Sequence, residues 1–146
     1  MAHTFVKDVM ISEVSTLDSS AMIKDAAKLM DDKNIGCIIL KNGEIPVGII
    51  TERDFVRRIA STEKPLTSSL TEVMSSPLIS IDPNVTIWEA AEEMKVNNIH
   101  KLPVLQNNKV IGMITTTDLV EVCSVGSDSE MRRICDQILT RMQKEQ

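Results

Sequence analysis

The sequence predicts an α+β fold of two tandem β-α-β-β-α repeats with pseudo-twofold symmetry, followed by a C-terminal helix. Three observations predict it. Residues 9–56 lie over 73–120 without a gap, and fifteen of those 48 pairs are identical, where average composition gives about three by chance. The segment Gly48-Ile49-Ile50-Thr51-Glu52-Arg53-Asp54 returns as Gly112-Met113-Ile114-Thr115-Thr116-Thr117-Asp118, shifted by 64. Aromatic residues make up only 2% of the 146, with no Tyr, so the core must be built from Ile, Val, Leu and nine Met. A single repeat of about 50 residues leaves one sheet face open, and a second can close it.

The elements follow in order. Val6 to Met10 reads as a short helical turn and Val14 to Leu17 as a short strand. Asp18, Ser19 and Ser20 offer capping groups, and Met22, Ile23, Ala26, Ala27, Leu29 and Met30 recur at helical spacing up to Lys33. Asn34-Ile35-Gly36 should end that helix, with Gly36 as the stop. Cys37 to Leu40 is an unbroken apolar run, as in a strand covered on both faces. Asn42-Gly43 marks a hairpin, and Pro46 places the returning strand, to Ile50, at an edge or strand start. A helix should run from about Glu52 to Ala60.

Ser61 to Ser69 is polar and reads as a linker, and the pattern then restarts. Leu70 to Met74 echoes Val6 to Met10, and Leu78 to Ile81 is expected as a strand before the turn Asp82-Pro83-Asn84. Thr86-Ile87-Trp88-Glu89 is a capping box opening a helix to about Asn97. Lys101 to Leu105 and Lys109 to Ile114 should pair across Gln106-Asn107-Asn108, with a helix after Thr115. The expected domains are repeat 1 over 5–61, a linker over 62–69, repeat 2 over 70–124 and a C-terminal helix over 127–145. That last helix carries Ile134, Ile138 and Met142 on one stripe, to be buried on the module or against another chain.

Composition excludes several functions. Net charge is −5 and the pI about 5.0, which opposes a nucleic-acid or anionic-membrane surface. No run approaches the roughly 18 apolar residues of a membrane span. Cys37, Cys123 and Cys135 are odd in number and lack Cys-x-x-Cys spacing; neither a disulfide frame nor a metal site is expected, and a cytoplasmic setting fits. No nucleophile–base–orienter set is visible, so no catalytic residue is assigned.

The recurring Gly-x-x-Thr-x-x-Asp has a direct physical reading. The glycine lets another backbone approach closely. Ile49 and Ile50 suit a buried strand. Thr51 can accept from helix-start N–H groups, and Asp54 lies in the first turn, where the helix dipole favours a negative charge. Taken alone, Thr-x-x-Asp is a capping box. Arg57 and Arg58 read as a solvated helix face.

A tandem β-α-β-β-α unit with this signature closing each copy resembles the CBS-domain pair, or Bateman module. Asn98-Ile99-His100-Lys101-Leu102-Pro103-Val104 is similar to the family's hydrophobic-His-Arg-Leu-Pro-Val segment, and Val9-Met10 and Val73-Met74 match its opening Val-Met. The resemblance covers roughly residues 5–123. It implies two clefts between the repeats, each able to hold an adenine nucleotide. Carried over, the first comprises Thr51, Asp54, Ile79, His100 and Lys101, and the second Ser12, Val14, Gly36, Cys37, Thr115 and Asp118. An Asp carboxylate can accept both ribose hydroxyls, and the hydroxyl and N–H groups at a helix start suit a phosphate. Since Gly36 and Cys37 stand where the other repeat has His100 and Lys101, the first cleft should prefer a phosphorylated adenosine. The second should take a less anionic one, bind weakly or stay empty.

The function that follows is a regulatory, ligand-sensing module without chemistry of its own. It would bind AMP, ADP, ATP or a related nucleotide, form a homodimer and signal by conformational change to a protein partner. The competing reading is a dimerisation scaffold with vestigial clefts. An enzyme acting on nucleotides is disfavoured, since Asp54 and Asp118 would lie in separate clefts and could not share one acid/base step.

Overall fold

A computed structural model describes residues 4–123, together with Arg132, Arg133, Asp136 and Thr140. Apart from those four residues, the expected C-terminal helix over 127–145 lies outside the described residues. The chain is mixed helix and strand, with the predicted repeat visible in its element order. It divides into two compact units. One holds Val14–Ile79 and Asn107–Lys109. The other holds the described parts of Met1–Glu13, Ser80–Gln106 and Val110–Gln146. Apart from the Asn107–Lys109 turn, each unit therefore combines the hairpin and helices of one repeat with the opening segment of the other.

In the first unit, β1 (Thr16–Asp18), β2 (Cys37–Asn42) and β3 (Ile45–Thr51) form a sheet in the order β1-β2-β3. The β1 strand runs parallel to β2, and β3 returns antiparallel through the Asn42-Gly43 turn. Pro46 is on the outer strand, where a missing N–H costs no ladder bond. Helix α2 (Ile23–Lys33) covers the sheet. The core joins Ile23, Ala26 and Met30 of α2 to Ile38, Leu40 and Ile50 of the sheet, with Ile59, Leu70 and Val73 closing it. Apart from alanine it contains only Ile, Leu, Val and Met, as the lack of aromatic residues requires. Before α2, the Asp18 carboxylate accepts from the Ser20 hydroxyl at 2.6 Å and the Ser20 amide at 2.9 Å. Those bonds hold its pKa below the ordinary carboxylate value.

Gly36 is not the residue that stops α2. Asn34 takes the left-handed conformation there, at φ 53°, and Asn98 does the same at the end of α4 (Ile87–Asn97). Asn is one of the few side chains that tolerates this region, and Ile35 and Ile99 then donate back to the Met30 and Met94 carbonyls. Asn34→Ala should therefore cost about 1 kcal/mol, read as a lower urea midpoint with an unchanged m-value.

In the other unit, α1 (Val6–Val9) is tied to the segment before α4: the Val6 N–H donates to the Val85 carbonyl at 2.9 Å. The strands β4 (Lys101–Gln106) and β5 (Lys109–Thr115) pair around Asn107 and Asn108, both left-handed, and α5 (Thr116–Cys123) follows. The strand expected over Leu78–Ile81 does not form; only Ile81 makes a parallel bridge, to Val104. The repeat explains the loss. In the first repeat the Ile39 N–H donates to the Ser15 carbonyl. Pro103 occupies the position of Ile39 and has no N–H to give.

The helix expected from Glu52 to Ala60 is present but not uniform. A short α3 (Glu52–Asp54) continues as a π-helix over Phe55–Ala60. Its end is marked by five-residue steps, Ser61 N–H to the Val56 carbonyl and Lys64 N–H to that of Ile59. The corresponding α5 is a regular α-helix. Among the described residues, no helix is long and apolar enough to cross a membrane.

Candidate functional site

The repeated glycine sets the geometry. The Ile49 N–H donates to the Ser75 carbonyl and receives the Ser75 N–H on its own carbonyl, at 3.1 and 2.9 Å. A Cβ on Gly48 would lie 2.9 Å from that same Ser75 oxygen. In the other unit Met113 and Ile11 exchange the equivalent bonds, and a Cβ on Gly112 would lie 2.9 Å from the Ile11 oxygen. Glycine at these two places is what lets an opening segment lie against the strand that leads into the Thr-x-x-Asp turn.

Each turn closes on itself in the same way. Asp54 Oδ2 accepts from the Thr51 N–H at 2.9 Å and from the Thr51 hydroxyl at 3.1 Å, while Thr51 Oγ1 accepts from the Asp54 N–H at 3.4 Å. Asp118 Oδ2 accepts from the Thr115 N–H at 2.9 Å and hydroxyl at 3.0 Å, with the Asp118 N–H returned to Thr115 Oγ1 at 3.2 Å. One carboxylate oxygen per turn is thus spent on the capping box.

The second oxygen differs between the copies. Asp54 Oδ1 meets the Ser75 hydroxyl at 3.4 Å and Arg58 Nε at 3.4 Å. Arg58 also donates to the Met74 carbonyl at 3.0 Å, so it is more than a solvated helix face. Asp54 is buried as a result, at 7% exposure. Asp118 is half-buried, and its Oδ1 meets no donor among the described residues. The repeat positions of Arg58 and Ser75 are held by Val122 and Ile11, neither of which can donate from its side chain. Sequence reasoning missed Ser75 altogether and left Arg58 on the surface. The four-residue step from Asp54 to Arg58 was a usable signal for the ion pair; nothing local pointed to Ser75.

The other predicted residues fall as follows. Cys37 pairs with Thr51 across β2 and β3, and the Gly36 carbonyl accepts from Glu52 N–H at 3.2 Å. The His100 carbonyl accepts from Thr116 N–H at 3.0 Å. Gly36 and His100 therefore each touch the turn of their own repeat through the backbone. Lys101 opens β4 and is half-buried. Ser12 is exposed next to Ile11, and Val14 and Ile79 are half-buried. Among the described residues, no group of three or more His, Cys, Asp or Glu could hold a metal ion.

Comparison with known proteins agrees with this architecture. The CBS domain family model matches residues 6–61 and again 70–125. CBS domain-containing protein YhcV of Bacillus subtilis (strain 168) is 32% identical over 114 residues, which are 78% of this chain and 81% of the relative. The solved CBS-domain containing protein ATU1752 from Agrobacterium tumefaciens is 26% identical with a TM-score of 0.73, covering 82% of this chain and 92% of its own. The CBS domain pair of protein MJ0100, solved in complex with 5′-methylthioadenosine and S-adenosyl-L-methionine, is 25% identical with a TM-score of 0.77. That match covers 85% of this chain and 98% of the other. The chain belongs to the CBS domain family and carries the domain twice, as a CBS pair.

Proposed function

We propose that this CBS pair senses an adenosine-containing small molecule, with Thr51–Asp54 and Thr115–Asp118 as the two seats for its ribose. The single observation that carries the reading is the half-buried Asp118, with one oxygen closing the helix and the other facing no donor among the described residues. A carboxylate oxygen in that state can accept from the hydroxyls of a vicinal diol without giving up a bond it already has. A solved relative bound to S-adenosyl-L-methionine and 5′-methylthioadenosine supports the adenosine part of the proposal. The ligand is AMP or another adenosine compound, and the module works as a homodimer that passes a shape change to a protein partner. Val56 and Val96, 65% and 76% exposed, are apolar surface that such contacts would cover.

One observation favours the competing scaffold reading: both carboxylates already serve their own helix caps. Thermal unfolding with AMP, ADP, ATP, S-adenosyl-L-methionine and 5′-methylthioadenosine separates the two. A ligand at 100 times its Kd adds about 2.7 kcal/mol to stability, so at least one compound should raise the Tm by several degrees. No shift with any of the five would favour the scaffold.

A further inference from the structure

We propose that Arg58 is the residue that makes the first turn selective for a phosphate-bearing nucleoside. It does so by holding Asp54 Oδ1 until an anion draws it away. The inference rests on the ligand reading above and adds a chemical difference between the two turns.

Four groups surround the Asp54 carboxylate. Oδ2 accepts from the Thr51 amide and hydroxyl, and Oδ1 accepts from the Ser75 hydroxyl and forms an ion pair with Arg58 Nε at 3.4 Å. A neutral diol can bond Oδ1 only by taking the place of the Ser75 hydroxyl or the Arg58 guanidinium, so each bond it makes is offset by a hydrogen bond or an ion pair lost. The net gain is small. A phosphate on the same ligand changes the balance, because it offers the displaced guanidinium a charged acceptor in place of the carboxylate. The Arg58 side chain is 51% exposed and can move, whereas Asp54 is fixed in its cap.

The second turn has no such hold. Val122 replaces Arg58, Ile11 replaces Ser75, and Asp118 Oδ1 meets no donor among the described residues. A neutral nucleoside can bond there without displacing any donor among the described residues. The helix that carries Arg58 also differs, being π-helical over Phe55–Ala60 where α5 is regular. Inserted π-turns occur often at functional sites. The duplication therefore supplies its own control: the same Thr–Asp cap, with and without the arginine.

Calorimetric titration of AMP and adenosine into the Asp118→Asn protein tests this, since Asn keeps an acceptor for the Thr115 cap while the second seat loses its charge. In that background AMP should bind about tenfold or more tightly than adenosine. Adding Arg58→Gln should shrink this preference to about threefold or less, by weakening AMP and strengthening adenosine. Arg58→Lys should restore part of it. A purely structural arginine would move both affinities in the same direction, so an unchanged AMP-to-adenosine ratio overturns the proposal. AMP binding to the natural chain but not to Asp118→Asn also overturns it, leaving the second seat as the ligand site. If neither compound, nor any other adenosine compound, binds the natural chain, the ligand reading falls as well.

Discussion

Gly48→Val is expected to destabilise the chain by about 3 kcal/mol, the upper part of the range for overpacking. The Cβ would meet Met74 Sδ at 2.6 Å and the Ser75 carbonyl oxygen at 2.9 Å. The sulfur sits on a flexible side chain and can swing aside. The carbonyl cannot, because it is held by the Ile49 N–H while the Ser75 N–H is held by the Ile49 carbonyl. Moving the Ser75 backbone loses that bridge and takes the Ser75 hydroxyl away from Asp54. Gly112→Val should behave alike, against Ile11. Gly43→Ala is the comparison: its φ of 64° strains a side chain, but nothing lies within 4 Å, so about 1 kcal/mol is expected. Urea unfolding of the three variants checks this. A Gly48→Val cost no greater than that of Gly43→Ala would show that the opening segment does not lie against β3.

Replacing both aspartates by alanine should abolish the stabilisation of the chain by every adenosine compound. A diol bonded to a carboxylate makes two charge-assisted hydrogen bonds, each contributing about 1.5–3 kcal/mol. Their joint loss weakens binding by a hundredfold or more. Each alanine also removes a capping partner, at about 1 kcal/mol per turn, so the melting baseline itself should fall. The paired asparagine variant, Asp54→Asn with Asp118→Asn, separates the two effects. It keeps a side-chain oxygen for the Thr51 and Thr115 amides, so the caps survive and the baseline should fall less than in the alanine pair, by the loss of the Arg58 and Ser75 contacts to Asp54 alone, while most of the ligand-induced shift is still lost. Full retention of the shift in that variant would mean that the carboxylates are caps and nothing else.

Much of the fold was legible because the duplication writes it twice. Two Thr-x-x-Asp caps, two aliphatic hairpins and two helices of the same length are local features, each decided within a few residues. The departures have non-local or single-atom causes. The strand at Leu78–Ile81 fails because Pro103, more than twenty residues later, has no N–H. Gly36 drew attention as a helix stop, yet Asn34, identical in both copies as Asn98, carries the left-handed turn. The π-helical stretch after Asp54 has no periodic signature that separates it from an α-helix over six residues. In the candidate site, Thr51, Asp54, Thr115 and Asp118 were readable from their spacing. The donors to Asp54 Oδ1 were not equally so: Arg58 is four residues away along the helix, but Ser75 arrives from the next repeat and carries no local mark.

The proposed ligand seats are the two Thr–Asp turns. Backbone amide resonances followed by NMR during an AMP titration test this assignment most directly. Saturable shifts are expected to centre on Thr51, Asp54 and Arg58, and on Thr115 and Asp118, with midpoints that match calorimetry. Saturable binding whose shifts leave all five amides in place would contradict it.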